Sequence, residues 1–310
     1  MKPRVSTTGG PNAGPATAGL AATWMRFWFE PADARPLAVV RILAAALGLM
    51  LLGSYAADLE TWFGPAGMIP VETAAAARPA AAFSPFDLVR SAGAVHGLFA
   101  ATVAAFLFLL AGLATPVAAP LAAILWAGLL GRGPVLAGPA DDCLAVLLWC
   151  LAIGPAGAHL SLDRFIGSLR GLPAPGPSWR ARVALGFVQV HAAAIAVAGL
   201  VAQLKGDVWW DGSAAWWLAA RPESRLVDLT GPLARSEYLT NLLTHAITGF
   251  EAAFAAGLWF AATQVPLARA GLVAWPLVGV LAGEPLCGVA MAIFCVPLAL
   301  RPVSGRRAGP

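Results

Sequence analysis

The sequence predicts an all-α fold, a polytopic integral membrane bundle of about eight transmembrane helices. Three observations lead to this prediction. First, 59% of the 310 residues are hydrophobic, only 12% are charged, and the mean hydropathy is +0.75. Second, the long runs are apolar on every side, whereas helices of soluble proteins keep a polar face. Third, lysine and arginine gather in alternate connections, which is typical of the cytoplasmic side of membrane proteins.

Apolar runs of about 17 to 25 residues predict the membrane crossings. Four runs are long enough to cross alone, at 37–57, 92–114, 181–203 and 239–262. Two shorter runs, 117–131 and 142–157, lie between Pro and Gly breaks and predict a tight helical pair. The last run, 266–300, is too long for one crossing, and the Gly-Glu-Pro sequence at 283–285 divides it into two.

The positions of the charges predict the orientation, because cytoplasmic loops collect Lys and Arg. The N-terminal tail, the 158–182 connection and the C-terminal tail are net positive. In the 58–90, 132–141 and 204–238 connections, acids match or outnumber bases. We therefore expect both termini in the cytoplasm and these last three connections outside. Seven crossings would place the basic C-terminal tail outside, so eight fit better.

The chain is expected to form one domain between two tails. The Pro-, Gly- and Ala-rich residues 1–22 predict a disordered cytoplasmic tail, residues 23–302 the transmembrane domain, and residues 303–310 a basic cytoplasmic tail. The net charge of +4 comes from segment ends rather than from a basic face with interleaved aromatics. This excludes nucleic acid as an expected partner and leaves the lipid bilayer as the first one.

The two long outer connections, 58–90 and 204–238, have room for structure outside the bilayer. Both are too aromatic and apolar for disordered loops, so we expect them to cap the bundle. The second contains four tryptophans within nine residues: Trp209, Trp210, Trp216 and Trp217. Tryptophans here are either interfacial anchors or the lining of a pocket, and the sequence leaves both open.

Lys205 ends one predicted span and has two interpretations. Its charge complements a helix C-terminus, which is a structural role. A lysine ammonium in an apolar pocket also loses basicity through desolvation and can then accept a proton. The nearby Asp207 and Asp211 would oppose that change. Spacing alone does not decide between the two roles.

Polar and ionisable side chains inside the spans are costly and each needs a partner or a purpose. The main cases are Gln189 and His191 in one span and His245 and Glu251 in the next. Antiparallel packing of the two spans could bring these side chains together. They then form either an interhelical hydrogen-bond cluster or a proton relay or polar substrate site.

Other candidate residues are assigned structural roles. Arg41 is interpreted as a snorkelling boundary residue and His96 as a structural histidine. Asp141 and Asp142 suit a helix N-terminus. The four cysteines fall in apolar segments without metal-ligand spacing, so we expect core residues and no metal site: Cys143, Cys150, Cys287 and Cys295.

Four stretches in order resemble the bacterial HTTM proteins, membrane relatives of vitamin K-dependent gamma-carboxylase. They are "RPLAVVRILAAALGLMLL", "WFGPAGMIP", "LSLDR" and "QLKGDVWWDGSAAWWL". The resemblance implies a multi-pass protein of the bacterial cytoplasmic (inner) membrane with an outward-facing pocket. In the carboxylase branch, a lysine just before such a Trp- and Gly-containing segment is the base that activates a reduced quinone. Lys205 matches that lysine to within one residue of gap.

The resemblance implies the roles of the site residues. Lys205, His245 and Glu251 are the predicted catalytic residues. A quinone or other lipid-soluble cofactor would contact six residues: Gln189, His191, Trp209, Trp210, Asp211 and Gly212. Two features depart from the carboxylase: Asp142-Cys143 stands where it has an Asn-His pair, and its large luminal domain has no counterpart here. Glutamate carboxylation is therefore not implied.

Three functions compete. The first is a membrane enzyme with a hydrophobic quinone-like cofactor and Lys205 as base. The second is a non-catalytic membrane subunit or maturation factor that docks a membrane protein partner through its Trp-rich outer loops. The third is a small-solute transporter, which would favour internal repeats that the sequence does not display.

Overall fold

The computed structural model describes residues 15–78, 84–89, 91–221 and 225–301, and in these ranges the regular structure is helical. The helices of the N-terminal half are α1 (Pro15–Phe29), α2 (Arg35–Ala56), α3 (Leu59–Phe63), α4 (Val71–Ala76), α5 (Ala92–Ala111), α6 (Thr115–Arg132) and α7 (Pro139–Ile153). A 3₁₀ helix, Pro85–Leu88, lies between α4 and α5. Outside these helices, Ala32 and Ser178 form one isolated antiparallel bridge.

The C-terminal half continues in the same way. Its helices are α8 (Leu162–Leu169), α9 (Trp179–Gln203), α10 (Asp207–Trp210), α11 (Ala214–Ala219), α12 (Thr230–Arg235), α13 (Glu237–Gly257), α14 (Ala261–Ala282) and α15 (Pro285–Ala299). The predicted all-α fold is confirmed. Each predicted span coincides with one helix, and the 266–300 run is divided into α14 and α15 at Gly283, where φ is +73°.

Among the described residues, five helices are long and apolar enough to cross a membrane: α2, α5, α6, α9 and α14. The chain is therefore compatible with a multi-pass membrane protein. Helices α7 and α15 have 15 residues each, which is short for a crossing of about 20 residues. The count of eight crossings stays a prediction.

The eight helices at the predicted spans alternate in direction. Arg41 near the start of α2 contacts Leu109 at the end of α5 and Ala156 just after α7. At the opposite end, Tyr55 near the end of α2 donates to Asp141 near the start of α7. We call the first end the Arg41 end. The second end carries the 58–90 and 204–238 connections, and we call it the connection end.

Close packing between α2, α5 and α6 forms the middle of the bundle. A Cβ on Gly48 would lie 2.0 Å from a ring carbon of Phe106, so only glycine allows this approach of α2 and α5. The Phe106 ring meets the Trp126 ring edge to face at 5.6 Å. Trp126 is fully buried and donates its indole N–H to the carbonyl of Asp141. The indole therefore has its partner despite its burial.

Both long connections pack against the ends of helices. Phe63 of α3 and Phe86 of the 3₁₀ helix are buried, and Arg132 donates from the end of α6 to the carbonyl of Gly64. In the other connection, Ala215 of α11 and Leu233 of α12 are buried. These contacts place the described parts of both connections against the bundle, whereas the prediction that the connections form caps stays a prediction. Their position on the outer side of a membrane stays a prediction.

Two expectations differ from the structure. Helix α1 begins at Pro15, so residues 15–22 are helical although the sequence predicted a disordered tail over 1–22. Residues 1–14 and the 303–310 tail lie outside the described residues. The interpretation of Arg41 as a snorkelling residue is wrong, because the side chain is fully buried and donates to main-chain carbonyls.

Candidate functional site

A buried carboxyl group marks the interior of the candidate site. Glu251 on α13 is 6% exposed, and its Oε2 accepts a hydrogen bond of 2.7 Å from Nε2 of Gln203 at the end of α9. The Oε1 of Gln203 accepts a hydrogen bond of 3.0 Å from the Thr248 hydroxyl. The described residues provide this carboxyl with a neutral amide rather than a salt bridge.

Threonine hydroxyls continue this chain of polar groups along α13. The Thr248 hydroxyl also approaches the carbonyl of Thr244 at 3.2 Å. The Thr244 hydroxyl in turn donates to the carbonyl of Gly212 at 2.8 Å and accepts from the amide of Ala215 at 3.0 Å. We call the side chains of Gln203, Thr244, Thr248 and Glu251 the polar ladder. It connects the buried carboxyl to the Trp-rich connection.

The turn at Asp211 and Gly212 is attached to the same helix. Gly212 has a φ of +82°, and a Cβ there would lie 2.0 Å from Nδ2 of Asn241. That amide nitrogen donates to the carbonyl of Asp211 at 3.3 Å. Hydrogen bonds from the Ser213 side chain and amide hold the pKa of Asp211 below its ordinary value. Glycine is therefore required at 212 for both conformation and space.

Two adjoining cavities lie beside this turn. The first, about 320 Å³, is lined in part by Asp211, Gly212 and Thr240, and the second, about 540 Å³, in part by His245. Both cavities include Asn241 in their walls. The predicted site residues Asp211, Gly212 and His245 thus border two neighbouring cavities at the connection end that share wall residues.

Lys205 lies outside this arrangement. Its side chain is exposed, and it lines neither of the two cavities. Trp210 is 68% exposed and donates to the carbonyl of Leu204 at 3.0 Å, whereas Trp209 is partly buried. Lys205 follows Gln203 of the polar ladder by two residues in the sequence. Its side chain makes no hydrogen bond or ion pair with the described residues. Its role as a base stays a prediction.

Gln189 and His191 are placed elsewhere. The Nε2 of Gln189 donates to the carbonyl of Leu258 at 3.0 Å, and Nδ1 of His191 lies 2.8 Å from the carbonyl of Phe187. Both sit in the half of α9 nearer the Arg41 end. At a rise of about 1.5 Å per residue, Gln189 is roughly 24 Å from Lys205 along the helix. Gln189 contacts the Leu258 carbonyl and Glu251 contacts Gln203, so the two side chains belong to separate polar contacts.

The residues assigned structural roles have matching contacts. Asp141 accepts the amide of Gly138 at the N-terminus of α7, at 2.8 Å. His96 is exposed and lies 3.6 Å from Glu60. Three cysteines are buried, as expected for core residues: Cys143, Cys150 and Cys295. Cys287 is partly buried. Within the described ranges, no group of three His, Cys, Asp or Glu side chains is arranged around a metal position.

Sequence reasoning missed three of the four members of the polar ladder: Gln203, Thr244 and Thr248. A signal was present, because Thr240, Thr244 and Thr248 recur every four residues and mark one face of a helix. These uncharged side chains were not selected as candidates, although threonine and glutamine are frequent interhelical hydrogen-bonding residues in membranes.

No family model matches this sequence, and neither a curated protein nor a solved structure matches it.

Proposed function

We propose that this protein is an eight-pass integral membrane protein of the HTTM type, with both termini in the cytoplasm, and that it is a membrane enzyme. Its reaction takes place at the connection end with a hydrophobic, quinone-like cofactor. The observation that carries the proposal is the polar ladder. It links Glu251, buried among apolar helices, to the cavity beside Asp211 and Gly212.

The chemistry that this arrangement supports is proton transfer. An ionised side chain inside a membrane is costly, and such residues commonly form proton relays. Glu251 can hold or release a proton, and Gln203 and Thr248 fix the orientation of its carboxyl group. Lys205 lies two residues after Gln203, where a cofactor entering from the lipid would reach it. In this proposal Lys205 acts as the base and Glu251 stores the proton.

Binding of a short-chain reduced quinone to the full chain in lipid nanodiscs tests the proposal. We expect saturable quenching of tryptophan fluorescence, together with an infrared difference band from a carboxyl group. A Glu251→Gln variant should remove the band and weaken binding at least tenfold. Glu72→Gln, which changes an exposed carboxyl group on α4, is the matched control and should keep both.

Unchanged binding by Glu251→Gln would make the polar ladder a structural cluster and reject the enzyme site. Lys205→Met separates the two parts of the proposal. If Lys205→Met binds quinol like the wild type and the infrared band is also unchanged, the base role is rejected.

The second candidate function is partner docking, and a specific observation favours it. Trp210 and Trp217 are 68% and 55% exposed, and Tyr238 at the start of α13 is 91% exposed. Aromatic side chains of this kind are enriched where proteins associate. In a docking subunit, Trp210→Ala with Trp217→Ala would release a stoichiometric membrane partner, whereas Glu251→Gln would retain it. The reverse pattern contradicts the docking function.

A further inference from the structure

The largest of the four cavities that we describe lies at the Arg41 end, opposite to the polar ladder. Its volume is about 590 Å³, and it opens between α2, α9, α15 and the 159–160 turn. Three arginines line it: Arg35, Arg182 and Arg301. His159 and one carboxylate, Asp33, are also in the wall, and they lie 3.6 Å apart. The wall is therefore net positive, and we call this space the arginine cavity.

Arg301 is the best-placed donor of the arginine cavity. Its Nη1 donates to Oε1 of Gln264 at 2.6 Å, whereas its buried Nη2 has no acceptor among the described atoms. Burial and, to a smaller extent, the nearby charge of Arg182 lower the pKa of Arg301 to about 10. Both guanidinium groups are still charged at neutral pH. An anion between them would relieve their repulsion and accept the remaining N–H group.

A separate apolar groove lies further along α2, between α2, α14 and α15. Its volume is about 350 Å³, and Leu43, Met50, Val289 and Val296 are among the residues that line it. On α2 the wall of the cavity ends at Val39, one helical turn before Leu43.

The two spaces share one helical face on each side of the seam between α2 and α15. On α2 the lining residues recur at intervals of three or four: Pro36, Val39, Leu43, Leu47 and Met50. On α15 and the residue that follows it they recur in the same way: Val289, Ala292, Val296 and Leu300. From Val39 in the cavity wall to Met50 in the groove, the lining on α2 extends about 16 Å, which is close to half of a hydrocarbon core about 30 Å thick. The groove itself, from Leu43 to Met50, accounts for about 10 Å of this length.

We propose that the arginine cavity and the groove together bind one phosphate-bearing lipid. Its phosphate lies between Arg182 and Arg301, and one of its chains lies in the groove between α2 and α15. Charge complementarity selects the headgroup, since guanidinium forks match phosphate oxygens. The apolar groove selects a molecule with a chain, and the cavity and the groove together extend along α2 by about the thickness of one leaflet. The site is independent of the polar ladder and of the reaction proposed there.

Native mass spectrometry of the full chain, released from nanodiscs, tests the proposal. The probes are phosphatidylglycerol and phosphatidylcholine with identical oleoyl chains. We expect the wild type to retain phosphatidylglycerol at least tenfold better. Arg182→Gln with Arg301→Gln should reduce this retention to the level of phosphatidylcholine. Arg170→Gln is the matched control, because Arg170 is exposed and lies outside the arginine cavity.

A groove variant separates a bound lipid from free phosphate. Ala46→Phe places a ring in the groove, so it should lower phosphatidylglycerol retention and leave the headgroup preference of the arginines intact. If inorganic phosphate at millimolar concentration displaces the lipid fully, the headgroup alone binds and the groove has no role. Equal retention of the two lipids by the wild type overturns the proposal.

A folding defect in the double variant is controlled by a conservative change. Arg301→Lys keeps the charge and loses the guanidinium fork. Its retention should fall between that of the wild type and that of the double variant, at an unchanged thermal midpoint. Wild-type retention by Arg301→Lys, together with wild-type retention by the double variant, would overturn the assignment of the phosphate to these arginines.

Discussion

Two polar clusters at opposite ends of the bundle, around Arg41 and around α13, hold main-chain carbonyls with different donors. Helix ends leave carbonyl groups without partners. At the Arg41 end, one buried guanidinium donates to carbonyls of Leu109, Leu110, Ala156 and Leu160. At the connection end, neutral groups dominate around α13, where Thr244 and Asn241 hold the turn after α10. A charged guanidinium thus supplies the donors at the Arg41 end, whereas amide and hydroxyl groups supply them around α13.

The difference has an electrostatic consequence. Arg41 is accompanied at its end by Arg182 and Arg301, and Asp163 accepts two amide hydrogen bonds at the start of α6. Positive charge is favoured on the cytoplasmic side of a membrane. We therefore expect the Arg41 end on the cytoplasmic side and the connection end on the outer side. In the described part of the chain, Glu251 in the polar ladder has no cation as a partner.

The largest expected effect concerns which end faces outward. Single cysteines at Ala76, in α4 of the connection end, and at Ala174, between α8 and α9, are both at exposed positions. In a background without native cysteines, an impermeant maleimide applied to intact cells should label Ala76→Cys and spare Ala174→Cys. Permeabilised cells should label both. Labelling of Ala174→Cys from outside would contradict the predicted orientation and place the Arg41 end on the outer side.

The next effect tests the charged donor at the Arg41 end. Arg41→Met should lower the free energy of unfolding by roughly 3–5 kcal/mol, because buried carbonyls left without donors cost about 1–3 kcal/mol each and some relaxation occurs. Denaturant titration of the purified protein in mixed micelles measures it. Arg170→Met, at an exposed position of the same end, should change stability by less than about 0.5 kcal/mol. Equal effects of the two variants would show that Arg41 does not organise its end.

A smaller effect is expected from the turn at the connection end. Gly212→Ala forces a side chain into a left-handed conformation and against Asn241, at a cost of about 1–2 kcal/mol. Limited proteolysis should then cut the 204–238 connection faster. Gly231→Ala in α12 is the control, since its added Cβ meets no atom within 4 Å. Similar cutting rates of the two variants would show that the turn at Gly212 does not hold the 204–238 connection against the bundle.

The sequence was sufficient for the helices but not for most of the contacts between them. Run length and Pro or Gly breaks located the eight helices at the predicted spans but missed α1, because hydrophobicity and backbone chemistry are local properties and α1 was not recognised as an apolar run. Arg41 was misinterpreted because its position near a span end is equally compatible with snorkelling and with burial. Its partners are main-chain carbonyl groups of distant residues, such as Leu109 and Leu160. Every residue has such a carbonyl, so the sequence does not show which ones accept a hydrogen bond.

The candidate site illustrates the same limit. Glu251 was identified because a carboxyl group in an apolar run is conspicuous. Its partner Gln203 was missed, since the relative rotation of α9 and α13 decides whether residue 203 or residue 205 faces Glu251. Helical rotation is set by packing along the whole interface. A two-residue shift in sequence therefore separates the exposed Lys205 from the buried Gln203.

The smallest expected effect is a pH dependence of the turn that closes the polar ladder. Hydrogen bonds from Ser213 hold the pKa of Asp211 below its ordinary value, so the ionised carboxylate stabilises this turn. The folded-state pKa lies below the unfolded value of about 3.9, so the stabilisation is fully present above that pH and is lost as the pH falls through the folded pKa. Hydrogen–deuterium exchange of a peptide over 207–216, corrected for the intrinsic rate, should lose protection in that range. Asp211→Asn should abolish this step, whereas Asp228→Asn, which alters a similar contact with Thr230, should retain it. A step that persists in Asp211→Asn would assign the acid sensitivity of the connection end to another carboxyl group.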